Sequence, residues 1–254
     1  MANTRKLIEQ IIEVRERRGS EPANAELFRR VLDLQISYER RPKDNPELLR
    51  HYPVALVACM EAFFRLAIKQ LIDADQRYLR NAANLASRVK LDFDLVKALH
   101  GKEISLGDLL AHAASINNLT DIAAHMSALL DTAYLDAVAK TFDRWAVEVE
   151  KKKKEPIIDN PDKVYRSVAR TFELRHIFCH EFATAYKLEA GEIETCFESS
   201  ITFLKAAEEH LSDVLHPGAP LTQTDMNIGA GEELKKETAR LEACDAELLK
   251  KPSQ

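Results

Sequence analysis

The chain has 254 residues, 46% of them hydrophobic, and carries 36 Lys and Arg against 41 Asp and Glu, for a formal net charge of −5. That length and apolar content suffice for a substantial buried core, and the net acidity excludes a protein that coats nucleic acid through its overall charge, though a local basic groove is compatible with it. With 7 glycines, 9 prolines and 7% aromatic residues in 254, the composition favours helix over a turn-rich β architecture, and an all-α fold is expected.

In chain order, helical periodicity runs over Leu7–Arg17 and again over Ala25–Arg40, with Gly19-Ser20-Glu21-Pro22 as a stop and restart between them. This predicts an N-terminal helical hairpin within residues 1–45. From about Leu48 to Tyr78 a broad apolar stripe through Val57, Met60, Phe64, Ile68 and Leu71 predicts the first long core helix. Two shorter helices are expected around Val89–Leu99 and Leu106–Ala113, broken by Gly101 and Gly107. A second core helix is predicted from Asp121 to about Val149, with a bend or interruption near Asp131–Leu135. The lysine run 151–154 and Asn160-Pro161 read as a solvated connection and a helix start. A third core helix then spans Pro161 to about Leu188, Gly191 marks a break, and a fourth runs from Glu192 to Leu215. Residues 46–217 are therefore expected to form a helical bundle. Residues 218–254 are expected to be a linker and a charged C-terminal helix.

Cys59, Cys179, Cys196 and Cys244 are scattered without a paired spacing, and no apolar signal core follows the N-terminus, so a reducing cytoplasm is expected. The most apolar segment, Val54–Ile72, carries Glu61, Arg65 and Lys69 at four-residue spacing. It is amphipathic, and no membrane role is expected. No repeat, sustained heptad or Gly-rich phosphate loop is present, which argues against P-loop nucleotide hydrolysis.

The chemistry concentrates in Glu173-Leu174-Arg175-His176-Ile177-Phe178-Cys179-His180-Glu181. At about 100° per residue, Val164, Val168, Phe172, Phe178 and Phe182 share one helix face and Arg175 falls among them, while Glu173, His176 and His180 lie on another. A guanidinium inside an apolar stripe must reach solvent or meet a partner such as Glu61. The plain reading is that ion pair together with a solvated histidine face. His176 and His180, with Glu173 one turn before, could also ligate a metal, but the catalytic Glu of a helical zinc site and a distant ligand are missing. Cys179 projects near the apolar face and reads as a core thiol rather than a nucleophile. The lysines at 151–154 and the cluster Arg15, Arg17, Arg18, Arg29 and Arg30, interleaved with Glu13, Glu16 and Glu26, read as solvated surfaces rather than an RNA track.

Arg175-His176-x-x-x-His180 resembles the Arg-x(4–6)-His motif of HEPN-domain proteins, in which a polar residue usually follows the arginine. Residues 52–64, from Tyr52 through Glu61-Ala62-Phe63, resemble the first core helix of the RiboL-PSP-type HEPN branch, and residues 104–111 resemble its middle segment. The similarity spans roughly residues 50–215. It implies a four-helix bundle that forms a homodimer, with two copies of the motif lining one cleft. In active relatives this is a metal-independent endoribonuclease, without cofactor, that serves in toxin or antiviral systems and answers to a cognate regulatory protein. Carried over, Arg175 clamps the phosphate, His180 is the acid/base, His176 is the polar auxiliary and Glu61 orients the arginine. These residue types suit the chemistry, since histidine titrates near neutral pH and arginine holds phosphoryl oxygens. Arg175 and His180 project about 140° apart on an ideal helix, which a facing second copy would offset. The branch paired with nucleotidyltransferases carries Tyr two residues after the histidine, where this chain has Phe182, so that pairing is not expected. The alternative is a catalytically silent dimeric module that binds RNA, a nucleotide or a protein.

Overall fold

The longest apolar stripe in the sequence becomes the longest helix and the axis of the fold. The computed structural model describes residues 2–17, 23–42, 45–86, 89, 92–101, 103–181 and 186–219. Its helices are α1 (Ala2–Arg17), α2 (Ala23–Glu39), α3 (Pro46–Ala74), α4 (Gln76–Asn81), α5 (Ala83–Ala86), α6 (Phe93–His100), α7 (Leu106–Ala113), α8 (Leu119–Leu130), α9 (Tyr134–Ala139), α10 (Arg144–Glu148), α11 (Pro161–His180) and α12 (Ala190–Leu215). Among the described residues there is no strand, and a lone bridge joins Phe142 to Pro156. The all-α expectation holds. No helix among the described residues is long and apolar enough to cross a membrane.

Asn45 starts α3 by accepting the Glu47 N–H at 3.1 Å, a side-chain cap for an otherwise unpaired donor. α3 then packs against α2, α7, α11 and α12. Leu56, Met60, Phe64, Ile68 and Leu71 are each at most 1% exposed, as the stripe requires. Phe64 meets Phe203 of α12 at 5.8 Å and Tyr134 of α9 at 6.2 Å between ring centroids, so aromatic contacts tie three helices at one level. The two N-terminal helices pack in different directions. α2 contributes Leu27, Leu34 and Tyr38 to the main core, whereas Ile8 and Ile11 of α1 join a second cluster with Leu95, Ala98, Ile104 and Leu109.

α7 is docked on α3 by polar groups that the sequence presents as one short segment. Ser105 caps α7 by accepting the Asp108 N–H at 2.9 Å, and Asp108 reciprocates on the Ser105 N–H at 3.0 Å. The Ser105 hydroxyl donates to Asp73 of α3 at 2.7 Å, the Gly107 N–H donates to the same carboxylate at 3.0 Å, and Lys69 pairs with it at 2.6 Å. Gly107, expected to break a helix, instead lies inside α7. A Cβ there would stand 2.6 Å from the Lys69 carbonyl oxygen, so glycine is what allows the close approach.

Three other expectations are corrected. The second core helix is three pieces, α8, α9 and α10: the interruption expected near Asp131–Leu135 is present, and a second, unexpected break follows α9. Asp131 closes α8 in the left-handed region (φ 52°), and Asp143 restarts the chain by accepting the Ala146 N–H at 2.9 Å. α11 ends at His180 rather than near Leu188, because Glu181 is extended. The returning chain places Tyr186 against Phe178, ring centroids 5.8 Å apart. Gly191 is not a break but sits in the first turn of α12. The hairpin turn at 19–22 and the C-terminal helix expected near 232–250 lie outside the described residues.

α10 is fastened to α12 by charge. Arg144 reaches Glu148 at 3.2 Å, Asp213 at 3.3 Å and the Ala219 carbonyl at 2.9 Å, while Lys205 meets Asp143 at 2.7 Å. Beside them, burial pushes the Glu209 carboxyl from 4.5 up to about 7. The Arg144 N–H bond and guanidinium oppose this, and the charges of Asp143 and Asp213 add to it. A carboxyl whose folded pKa is raised adds stability that is complete below its ordinary value and is lost as pH rises through about 7. Glu209→Gln should therefore be more stable than wild type at pH 8 and no more stable at pH 4. The expected gain at pH 8 is about 1 kcal/mol, because solvent access weakens the full linkage value. Urea midpoints at the two pH values measure it, and parallel pH dependences would contradict it.

Candidate functional site

α11 begins where Asn160 accepts the Lys163 N–H at 3.0 Å, with Pro161 in the first turn. Its buried side chains are Val164, Val168, Thr171, Phe172 and Leu174, and they pack against α3 and α12. Past Leu174 no residue of α11 is buried, so the last turn and a half runs beyond the closed part of the core. This explains how Arg175 can follow an apolar stripe without being sealed in it: its side chain is 34% exposed.

Arg175 and Glu61 are brought together, as expected from the sequence. The guanidinium Nη2 lies 3.7 Å from Glu61 Oε1, beyond hydrogen-bond length, and the Glu61 side chain is 25% exposed. The contact is a charge pair without a directed bond. Arg170, one turn earlier, is different. It donates to Glu173 at 2.8 Å, to Glu192 at 2.8 Å and to the Tyr186 hydroxyl at 2.6 Å, and Tyr186 donates onward to Glu192 at 3.2 Å. These hydrogen bonds to Glu173 and Glu192 raise the Arg170 pKa above the ordinary arginine value. Arg170 is thus a structural clamp joining α11, the returning chain and the start of α12. Its pairing with Glu173 was readable from the i, i+3 spacing, but Tyr186 and Glu192 carried no local signal.

His176 and His180 are both exposed and stack loosely, with ring centroids 5.0 Å apart and planes inclined by 48°. Glu173 is engaged by Arg170 and does not join them. Among the described residues no three His, Cys, Asp or Glu side chains converge as a ligand set. Cys179 corrects an expectation: it is exposed, because the helix end protrudes past the core its projection pointed toward. Among the described residues Cys59 and Cys196 are the buried thiols. Burial pushes the Cys59 pKa up to about 11 against the opposing charge of Arg30, so that thiol stays protonated at neutral pH. Phe182 lies outside the described residues.

The lysine run behaves as a solvated loop. Lys152 pairs with Glu150 at 2.6 Å and Lys153 with Glu155 at 2.9 Å, and Lys154 lies over the Phe142 ring at 3.9 Å. By contrast, the end of α11 offers one loosely paired guanidinium and two accessible imidazoles on a rigid helix. Arg50 at the start of α3 lies over the Phe178 ring at 5.6 Å and helps seat that end. Such a set can hold an anion and move protons.

The fold and this site define an all-α protein with a cationic and imidazole-bearing helix end. No protein-family model, curated protein or solved structure matches the chain.

Proposed function

We propose that this chain is a HEPN-type, metal-independent endoribonuclease that works as a homodimer. The observation that carries the reading is the contrast between the two arginines of α11. Arg170 is spent on three structural bonds, whereas Arg175 has, among the described residues, one 3.7 Å charge contact and remains accessible beside two exposed histidines. An arginine so lightly held can exchange Glu61 for a phosphoryl group, with which it forms two directed bonds.

In the proposed reaction the ribose 2′-oxygen attacks the adjacent phosphorus and its proton passes to an imidazole. The bond from phosphorus to the 5′-oxygen breaks, and a protonated imidazole supplies the proton that oxygen takes up. The products are a 2′,3′-cyclic phosphate and a 5′-hydroxyl end. His180 moves the proton, His176 stands beside it as the polar auxiliary, and Arg175 neutralises charge on the non-bridging oxygens. Arg175 turns toward α3 while the histidines face solvent, so one copy supplies half of the arrangement and a second copy the rest. RNA is the substrate class, and growth control or antiviral defence under a cognate regulatory protein is the setting that goes with this reading.

The test is to incubate the purified protein with mixed-sequence RNA in EDTA and to analyse the ends formed. Cyclic phosphate ends and a dimer by light scattering are expected. Intact RNA across diverse substrates, or a strict monomer, would overturn the proposal in favour of a silent binding module.

A further inference from the structure

A groove of about 600 Å³ lies between α1, α2, α3 and α7, a size typical of small-molecule sites. Ile11, Val14, Leu27, Leu66 and the methyl groups of Ala58 and Ala62 give it an aliphatic floor. Among the described lining residues Phe63 is the one phenyl ring, it is 5% exposed, and no hydroxyl or amide side chain takes part. Five cationic side chains and three acidic ones border the groove, although the chain as a whole is acidic.

The state of those charges is informative. Arg17 is paired with Glu13 at 3.1 Å and Lys69 with Asp73 at 2.6 Å. Asp108 faces Lys69 at 3.5 Å, Glu61 faces Arg175 at 3.7 Å, and Glu26 is the third acid. Arg15, Arg30 and Arg65 come from three different helices, and none has a carboxylate of a described residue within ion-pair distance. Burial, aided by Arg65, holds His112 below the ordinary histidine range, so it lines the groove as a neutral ring at pH 7.

We infer that this groove binds a single-chain aliphatic carboxylate, with its hydrocarbon body along the aliphatic floor and its head group paired with the unmatched guanidinium groups of Arg15, Arg30 and Arg65. Guanidinium and carboxylate match as bidentate partners, and an alkyl chain gains from every methylene it removes from water. A nucleobase is a poorer fit, since it needs ring faces to stack on and neutral groups for its hydrogen-bonding edge. The site is separate from the proposed cleavage site and shares Glu61 as a common wall.

Isothermal titration with decanoate below its micelle concentration tests the inference on the full chain, whatever the outcome of the RNA assay. Saturable binding at one site per chain is expected. Hexanoate should bind at least about tenfold more weakly for its four missing methylenes, and 1-decanol at least about tenfold more weakly for its missing charge. The Arg30→Gln/Arg65→Gln variant should lose at least about tenfold in affinity. Ala62 is exposed on α3, so Ala62→Trp should block the groove and abolish binding with the circular dichroism spectrum and Tm unchanged. Absence of saturation, equal binding of 1-decanol, or undiminished binding by both variants would overturn the inference. So would a uridine decanucleotide that binds saturably and displaces decanoate, which would assign the groove to an RNA strand.

Discussion

An Arg175→Ala/His180→Ala variant is expected to cleave RNA at least about a thousandfold more slowly than the wild-type chain while folding normally. The magnitude follows from the two proposed roles: proton transfer by a positioned side chain contributes roughly 10²–10⁴-fold, and a charge-stabilising donor at the reacting group roughly 10²–10³-fold. Removed together, groups that act on one transition state cost less than the product of their separate effects, which makes a thousandfold loss the conservative figure. Folding should survive because His180 is exposed and Arg175 lies past the last buried residue of α11, with a single long contact among the described residues, to a carboxylate that solvent can reach. Initial rates on labelled RNA in EDTA, read beside the Tm of both proteins, decide the matter. Equal rates would remove these residues from the site.

Gly107→Val should destabilise the fold by at least about 3 kcal/mol, the largest single-residue effect on stability expected in this structure outside deep-core truncations. The added Cβ would meet the Lys69 carbonyl oxygen at 2.6 Å and the Asp73 carboxylate at 2.5 Å. The side-chain atom can turn away, but the backbone oxygen belongs to the last turns of α3, packed in the core, and cannot. Relief requires moving α7, which breaks the Gly107 N–H bond to Asp73 and pulls Ser105 from the same carboxylate. The cost is therefore overpacking together with buried polar groups losing partners. Chemical denaturation measures it. A loss under about 1 kcal/mol would mean that α7 shifts at little cost and that the close approach is incidental.

The sequence made some of this legible and hid the rest for physical reasons. α3 was readable because its apolar residues recur at helical spacing past the one proline inside it, Pro53, and the burial of Met60, Phe64, Ile68 and Leu71 follows that stripe. The Arg175–Glu61 contact was readable because a charge in an apolar face needs a counterpart. Periodicity failed where a helix end outruns its neighbours: Cys179 keeps the phase of the apolar face but lies exposed past the closed part of the core. Over 121–149 the interruption expected near Asp131–Leu135 falls at a left-handed Asp131, but the second break, between Ala139 and Arg144, is one that helical spacing continues across. Gly107 was misread because a glycine that breaks a helix and a glycine that lets two helices touch look the same in one dimension. The basic groove was hidden most deeply. Arg15, Arg30 and Arg65 each sit among opposite charges in sequence, and only the packing of four separate helices sets them around one aliphatic floor.

The division of the interior into two clusters gives that groove an uneven frame. One wall, α3, is welded into the main core, while the opposite wall, α1, rests mainly on the small cluster of Ile8, Ile11, Leu95, Ala98, Ile104 and Leu109. Detaching α1 would expose less apolar surface than unfolding the bundle, so α1 is expected to open before the main core does. A hydrocarbon seated in the groove would lie against Ile11 and Val14 of α1 and add apolar contact to the helix that rests on the smaller cluster.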